Sequence, residues 1–293
     1  MLLRNLELTN FRAFSSQRLE FSDRVTVIAG INGRGKSAVL DGLSLLLSRL
    51  LPQVTPARGG YKYLQPKDIH NDGPSTRLKL AASFEQIPIE YAIDFDLTRG
   101  QQPRKLLPQL RREVRRIYGD PAREGDAAPI AVYYTTDRAA YRLPKRLISS
   151  VDQDQSAAYH GALLNRQVDF RDFMSRMRIW RQLAERSEDP RGSSARTIET
   201  LNRAVQTFLP EFSDIRVQLD PLRLVAKKQD QDIDIVQMSD GERALFAMVI
   251  DLCRRLVLAN PAMADPLQGA DVVLIDEIEL HLPHVPPLRI LLG

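Results

Sequence analysis

The stretch Gly30 to Ser37 reads GINGRGKS and fits the spacing G-x-x-x-x-G-K-[ST]. Glycines at such positions let the backbone turn so that its N–H groups face phosphate oxygens. A helix starting at the same place adds the partial positive charge of its N-terminus. In that arrangement Lys36 reaches the β- and γ-phosphates and the Ser37 hydroxyl holds Mg²⁺. The competing reading is a glycine-rich turn that matches by chance. The flanking pattern weighs against it, because RVTVIAG before the loop reads as a short β-branched strand and KSAVLDGLSLLLSRLL after it reads as a helix, with Pro52 past its end.

A second acidic constellation stands near the other end. Val272 to Ile275 is an apolar run that leads into Asp276 and Glu277. A carboxylate at the end of a buried strand can hold Mg²⁺ through water, and the next one can activate an attacking water. Alone, this is an ordinary acidic strand exit; beside a phosphate loop it is a hydrolytic pair. Between the two lies QMSDGERALFAMVIDL. Ser239 and Glu242 have the spacing of a capping box, and Gly241 lets a phosphate approach the backbone.

The remaining chain supplies the elements that must position these groups. RNLELTNFRAFSSQRLEF alternates like two antiparallel strands around a turn at Ser15–Ser16. TRLKLAASFE and IEYAIDFDL read as further strands, separated by Pro88. PIAVYYTTDRA reads as a strand feeding a loop, and the chain is helical and charged from about Ser156 to Leu209, broken near SEDPRGSS. IRVQLDPLRLVAKKQDQDIDIV reads as a strand pair, ERALFAMVIDLCRRLVLAN as a long helix, and DVVLIDE as the last strand.

Composition narrows the class. The chain has 293 residues, 43% hydrophobic and 27% charged, as expected of a globular protein. One cysteine excludes a disulfide framework and points to a reducing, cytoplasmic setting. No apolar run approaches the ~18 residues of a membrane span, so no membrane partner is expected. A net charge of +4 permits nucleic acid as a partner without requiring it. Arg99 to Arg123 is basic, with only Glu113 and Asp120 acidic, but Leu106, Leu110, Val114 and Ile117 make an apolar stripe through it. A helix packed on the core with a solvated arginine face accounts for that pattern better than a phosphate-binding patch. Phe173, Met177 and Trp180 fall at helical spacing and read as core, not as a base-stacking platform. His281 and His284 do not make a helical metal site, because Pro283 lies between them.

The order GINGRGKS, MSDGER, VVLIDE resembles the ATP-binding-cassette ATPases, with MSDGER in the place of their signature motif. LELTNFRAF, Asn32 and the glutamate after Gly241 are similar to the SMC, RecF and OLD-like branch, many of whose members are called AAA family ATPases. The resemblance runs from Met1 to about Leu282. It implies an α/β fold: a P-loop NTPase of ABC/SMC head type, with a mixed sheet, an N-terminal antiparallel β-subdomain and an inserted helical lobe at about 140–210. It implies ATP and Mg²⁺ as cofactors, with Gly30, Asn32, Gly33, Arg34, Gly35, Lys36, Ser37 and Arg12 at the nucleotide. Ser37 and Asp276 would be metal ligands and Glu277 the catalytic base. Ser239, Asp240, Gly241 and Glu242 would form the signature that meets the nucleotide of a second copy in an ATP-dependent homodimer. The resemblance further implies that ATP binding and hydrolysis, coupled to head dimerisation, regulate a DNA-processing or defence effector, with nucleic acid a possible partner. For Arg12, a solvated turn stands as an equal alternative.

Two departures qualify the resemblance. No glutamine stands after IAVYY, where the family's Q-loop belongs; Thr135, Thr136, Asp137 and Arg138 are there instead. From Pro283 the tail PHVPPLRILLG no longer matches, and the D-loop and switch histidine are not recognisable. The reading is a head at 1–282 and a non-matching tail at 283–293, from truncation or frameshift, with a replaced tail as the alternative. Binding without turnover is therefore the alternative to hydrolysis, and a transporter ATPase subunit a more distant one.

Overall fold

The computed structural model describes residues 1–57, 60–84, 87–102, 112, 127–135, 144–164, 168–186, 193–269 and 271–277. The expected tail at 283–293, His281 and His284, residues 136–138 and nearly all of the basic stretch 103–126 lie outside them.

Strands β1 (Leu2–Phe11) and β2 (Phe14–Glu20) form a hairpin. Strands β3 (Ser75–Phe84), β4 (Ile87–Asp96) and β5 (Gly100–Gln102) complete an antiparallel sheet of order β2-β1-β3-β4-β5. Alternation sends Leu6 and Leu8 of β1, and Leu78 and Leu80 of β3, into one core, while Glu7 and Lys79 face outward. The expected turn at Ser15–Ser16 is corrected. Phe11 pairs with Phe14, so the turn is Arg12–Ala13. A two-residue hairpin needs a left-handed residue, and Arg12 supplies it with φ 47°. Pro88 does not separate the strands but sits inside β4, opposite Ser83.

Helix α1 (Lys36–Val54) is apolar nearly all round from Leu43 to Leu51, because it lies between the antiparallel sheet and β6 (Ile130–Tyr134). Pro52 is within this helix, a second correction. In the last turn it removes only the hydrogen bond to Ser48, and the helix continues to Val54. β6 pairs in parallel with β10 (Asp271–Ile275). Helix α4 (Asp240–Ala259) covers the other face of β6. On it pack helices α2 (Phe170–Arg186) and α3 (Ser193–Phe208), with Phe173, Met177 and Trp180 buried as their spacing predicts.

The expected strand pair near the C-terminal half is a three-stranded antiparallel sheet: β7 (Phe212–Leu219), β8 (Leu222–Lys228) and β9 (Gln231–Asp234). A last correction concerns RVTVIAG, which is not a strand. Its β-branched residues favour a pleated surface, but a strand also needs a neighbouring ladder. No ladder among the described residues includes 24–30, and Val27 is 82% and Ile31 70% exposed.

β6 divides the two cores. Ile130, Val132 and Tyr134 face the one shared with α4 and the lobe helices. Ala131 and Tyr133 face the one shared with α1 and the antiparallel sheet.

Candidate functional site

The phosphate loop leads into α1. Gly33 and Gly35 adopt φ 82° and 89°, the left-handed conformation that the glycine spacing anticipated. A side chain at Gly35 would strike the Phe14 ring, 2.6 Å from its Cζ, whereas Gly30 and Gly33 face open space. Lys36 Nζ donates to Gly30 O at 2.6 Å and Asn32 Oδ1 at 3.2 Å, so the ammonium lies within the loop. The first turn of α1 carries no acidic residue, and Ser37 is exposed there. A positive helix terminus, an inward lysine and an open glycine face fit a polyphosphate. The exposed serine hydroxyl fits the hard oxygen donors that Mg²⁺ requires.

Asp276 follows β10 directly. Its N–H donates to Tyr134 O at 2.9 Å, so Asp276 and Thr135 leave their parallel strands side by side. Glu277 is left-handed, with φ 46°. Tyr133 connects this acidic end to α1. Burial holds its phenol well above the ordinary value, and the nearby carboxylates of Asp41 and Asp276 add to the shift.

Arg12 is neither a solvated turn residue nor a free cation. Its Nη1 donates to Asp41 Oδ2 at 2.5 Å and its Nε to Asp68 Oδ1 at 2.9 Å. Burial opposes the charge, but the hydrogen bonds and fields of Asp41 and then Asp68 keep the guanidinium above its ordinary pKa. Lys62 completes the cluster. It donates to Ser44 Oγ at 2.6 Å, lies 3.8 Å from Asp41, and sits over the Tyr133 ring. Asp41, Asp68, Lys62 and Tyr133 were not singled out in the sequence. Their partners are dozens of positions away, and no local pattern marks them.

The MSDGER segment starts α4 as a capping box. Ser239 Oγ accepts from Glu242 N at 3.3 Å, and Glu242 Oε2 accepts from Ser239 N at 2.9 Å. Glu242 turns inward, where Lys228 Nζ donates to its Oε1 at 2.6 Å. Burial works against its charge, but the bonds from Lys228 and Ser239 hold its pKa below the ordinary value. Asp240 is 81% exposed at its side chain and pairs with Arg243. Ser239 and Asp240 are thus the exposed members of the group, with Glu242 bracing them from behind.

Further along α4 lies a buried charge network that the sequence also hid. Asp251 Oδ1 accepts from Arg254 Nη2 at 2.7 Å, and Oδ2 accepts from Arg255 Nε at 2.8 Å and Tyr134 Oη at 3.0 Å. Arg254 also reaches Asp172 of α2 at 3.1 Å, which holds Arg176 at 2.8 Å. Burial disfavours the Asp251 charge, yet the two guanidinium groups win and its carboxyl titrates far below the usual range. The last two residues of β6 therefore end in different networks: Tyr133 on the phosphate-loop side, Tyr134 on the lobe side.

The family model of an AAA domain matches residues 5–239. A probable ATPase of retron Vc95 from Vibrio cholerae serotype O1 biovar El Tor is 24% identical over 342 residues, covering 96% of this chain and 65% of the relative. A probable ATPase of retron Ec83 from Escherichia coli is 42% identical over 89 residues, covering 30% of this chain and 16% of the relative. The chain thus spans less than two thirds of either relative's length. Among solved structures, the recombination mediator protein RecF with ATP is similar at 14% identity and a TM-score of 0.48, over 96% of this chain and 87% of that one.

Proposed function

The chain belongs to the AAA domain family matched over residues 5–239, and from that membership we propose that it binds Mg-ATP and hydrolyses it. The observation that carries this reading is the phosphate loop itself: two left-handed glycines, Lys36 folded onto Gly30 O, and an α1 terminus free of acidic residues. Gly30, Asn32, Gly33, Arg34, Gly35, Lys36 and Ser37 hold the phosphates. Ser37 and Asp276 hold Mg²⁺, which supplies charge neutralisation at the transferring phosphoryl group. Glu277 draws the proton from the attacking water. Tyr133, hydrogen-bonded to Asp41 of α1, lies within the field of Asp276 and so stands between the metal-binding end and α1. Arg12, bound to Asp41 and Asp68, acts by fixing α1 behind the loop, with its contact to nucleotide made only if those bonds exchange.

Residues 1–282 are read as one ATPase head, with 140–210 as its helical lobe. Two heads meet on ATP, each offering Ser239, Asp240 and Gly241 to the other's nucleotide. The proposed output is regulation of a defence or DNA-processing effector; the similar proteins named as probable retron ATPases support the ATPase part of the reading. No helix among the described residues is long and apolar enough to cross a membrane.

A second reading is a nucleotide-dependent interaction module without turnover. The exposed, unladdered segment 24–30 favours it, because it leaves the entry to the loop unsupported by a strand. Phosphate release and sedimentation with ATP separate the two. Hydrolysis predicts steady phosphate release, abolished in Lys36→Ala with binding, and abolished in Glu277→Gln with binding kept and an ATP-dependent dimer trapped. Binding without release, unchanged by Glu277→Gln, overturns hydrolysis and leaves the module.

A further inference from the structure

The first turn of α4 carries one connection more than a helix cap needs. Glu242 Oε2 accepts twice from Ser239, from its N–H at 2.9 Å and from its hydroxyl at 2.8 Å. The single hydroxyl proton of Ser239 is therefore turned inward. A serine that is to meet a polyphosphate must donate outward, since ionised phosphate oxygens only accept. How tightly Glu242 holds that proton decides whether Ser239 can do so.

The other oxygen of Glu242 is held by Lys228, the last residue of β8, which donates to Oε1 at 2.6 Å. This lysine is not a loose surface chain. It stands opposite Phe212 in the β7–β8 ladder, its ammonium lies 4.9 Å from the centroid of the buried Phe212 ring, and Glu211 Oε2 is 3.2 Å away. The side chains of Lys228 and Glu242 are 26% and 20% exposed, so solvent and salt screen the pair less than an open surface ion pair. Arg243, a neighbouring cation, is committed elsewhere, to Asp240 and to the Met238 carbonyl at 3.3 Å. Lys228 is what offsets Glu242 and Glu211, and it ties the three-stranded sheet to the start of α4.

We propose that Lys228 is a positioning residue for the segment Ser239–Glu242: by drawing charge from Glu242 it loosens that carboxylate's hold on the Ser239 hydroxyl and keeps the α4 terminus from repelling an incoming polyphosphate. This deepens the reading in which two heads meet on ATP through that segment, and it rests on that reading. Without Lys228, Glu242 keeps its full charge beside the backbone donors of the first turn and grips the serine proton more strongly.

The test is sedimentation of the Glu277→Gln chain with ATP and Mg²⁺, with and without Lys228→Met. The dimer dissociation constant should rise ~10–100-fold, because a symmetric pair loses the contact at both sites and each is worth about 3–10-fold. Lys228→Gln, which keeps a donor but no charge, carries the same expectation. Binding of a fluorescent ATP analogue to dilute, monomeric protein should change less than ~2-fold, since the phosphate loop is untouched. In the Glu242→Gln background, where that side chain no longer has a charge to offset, Lys228→Met should likewise cost less than ~2-fold. A dimer constant unmoved by either Lys228 variant overturns the proposal. So does the same weakening in the Glu242→Gln background, or a parallel loss of ATP affinity in the monomer, which would assign Lys228 to stability alone. All of these leave head pairing standing. A Glu277→Gln chain that stays monomeric with ATP removes head pairing itself, and the role of Lys228 with it.

Discussion

Replacing Asp251 by asparagine isolates the energetics of the buried network. In the native chain one carboxylate, 3% exposed, receives Arg254, Arg255 and Tyr134. Asparagine keeps the shape but removes the charge, and its amide N–H₂ must face a guanidinium group. Arg254 retains Asp172 at 3.1 Å. Arg255 retains only the carbonyls of Ala158 and His160, at 2.6 and 3.0 Å. A buried cation left without its counter-charge costs about 3–5 kcal/mol. At ~2–4 °C per kcal/mol for a chain of this size, the melting temperature should fall by ~6–20 °C. Tyr134→Phe serves as the control, since it removes one hydrogen bond and should cost about 1 kcal/mol. Thermal and urea unfolding monitored by circular dichroism measure both. A loss below about 1 kcal/mol for Asp251→Asn would refute the view that this carboxylate holds the two arginines in place.

The same carboxylate predicts acid behaviour. Its folded pKa lies below its unfolded value, so its contribution is complete above the unfolded pKa of ~3.9 and is lost as pH falls toward the folded one. Unfolding midpoints should therefore drop steeply below about pH 4, and less steeply in Asp251→Asn. Gly35→Ala should destabilise by roughly 1–2 kcal/mol, because φ 89° disfavours any Cβ and this one meets Phe14, a loss readable from urea midpoints. Cys253 is buried and its thiol is pushed up to about 12 by that burial. Alkylation at neutral pH should accordingly proceed only through unfolding, and labelling as fast as that of a free thiol would contradict the packing of α4.

What the sequence made legible was local. GINGRGKS carries its own turn chemistry, and Gly33 and Gly35 have the left-handed conformation the spacing implied. Ser239 and Glu242 form the capping box that their three-residue spacing suggests. The buried face of α2 follows from the period of Phe173, Met177 and Trp180. Features decided at a distance are not legible locally. RVTVIAG has strand propensity, but pairing depends on what lies beside it. The hairpin turn sits at Arg12–Ala13 because Phe11 and Phe14 pair and because Asp41 and Asp68 hold Arg12. Asp41, Tyr133 and Asp251 stay hidden because their importance comes from partners on other elements.

The division of labour along β6 also bears on how the gene can change. Tyr133 and Tyr134 are neighbours in sequence but serve opposite sides of the protein, one toward Asp41 and Asp276, the other toward Asp251. Because side chains alternate strictly along a strand, a one-residue deletion just ahead of Ile130 would exchange every face. Each phenol would then enter the wrong network, and Val132 and Ala131 would trade cores. Substitutions here lose one contact at a time and can be selected or repaired singly. An insertion or deletion fails at every position at once. Descendants of this chain should therefore vary in residue along β6 while the count of residues from Pro129 to Thr135 stays fixed.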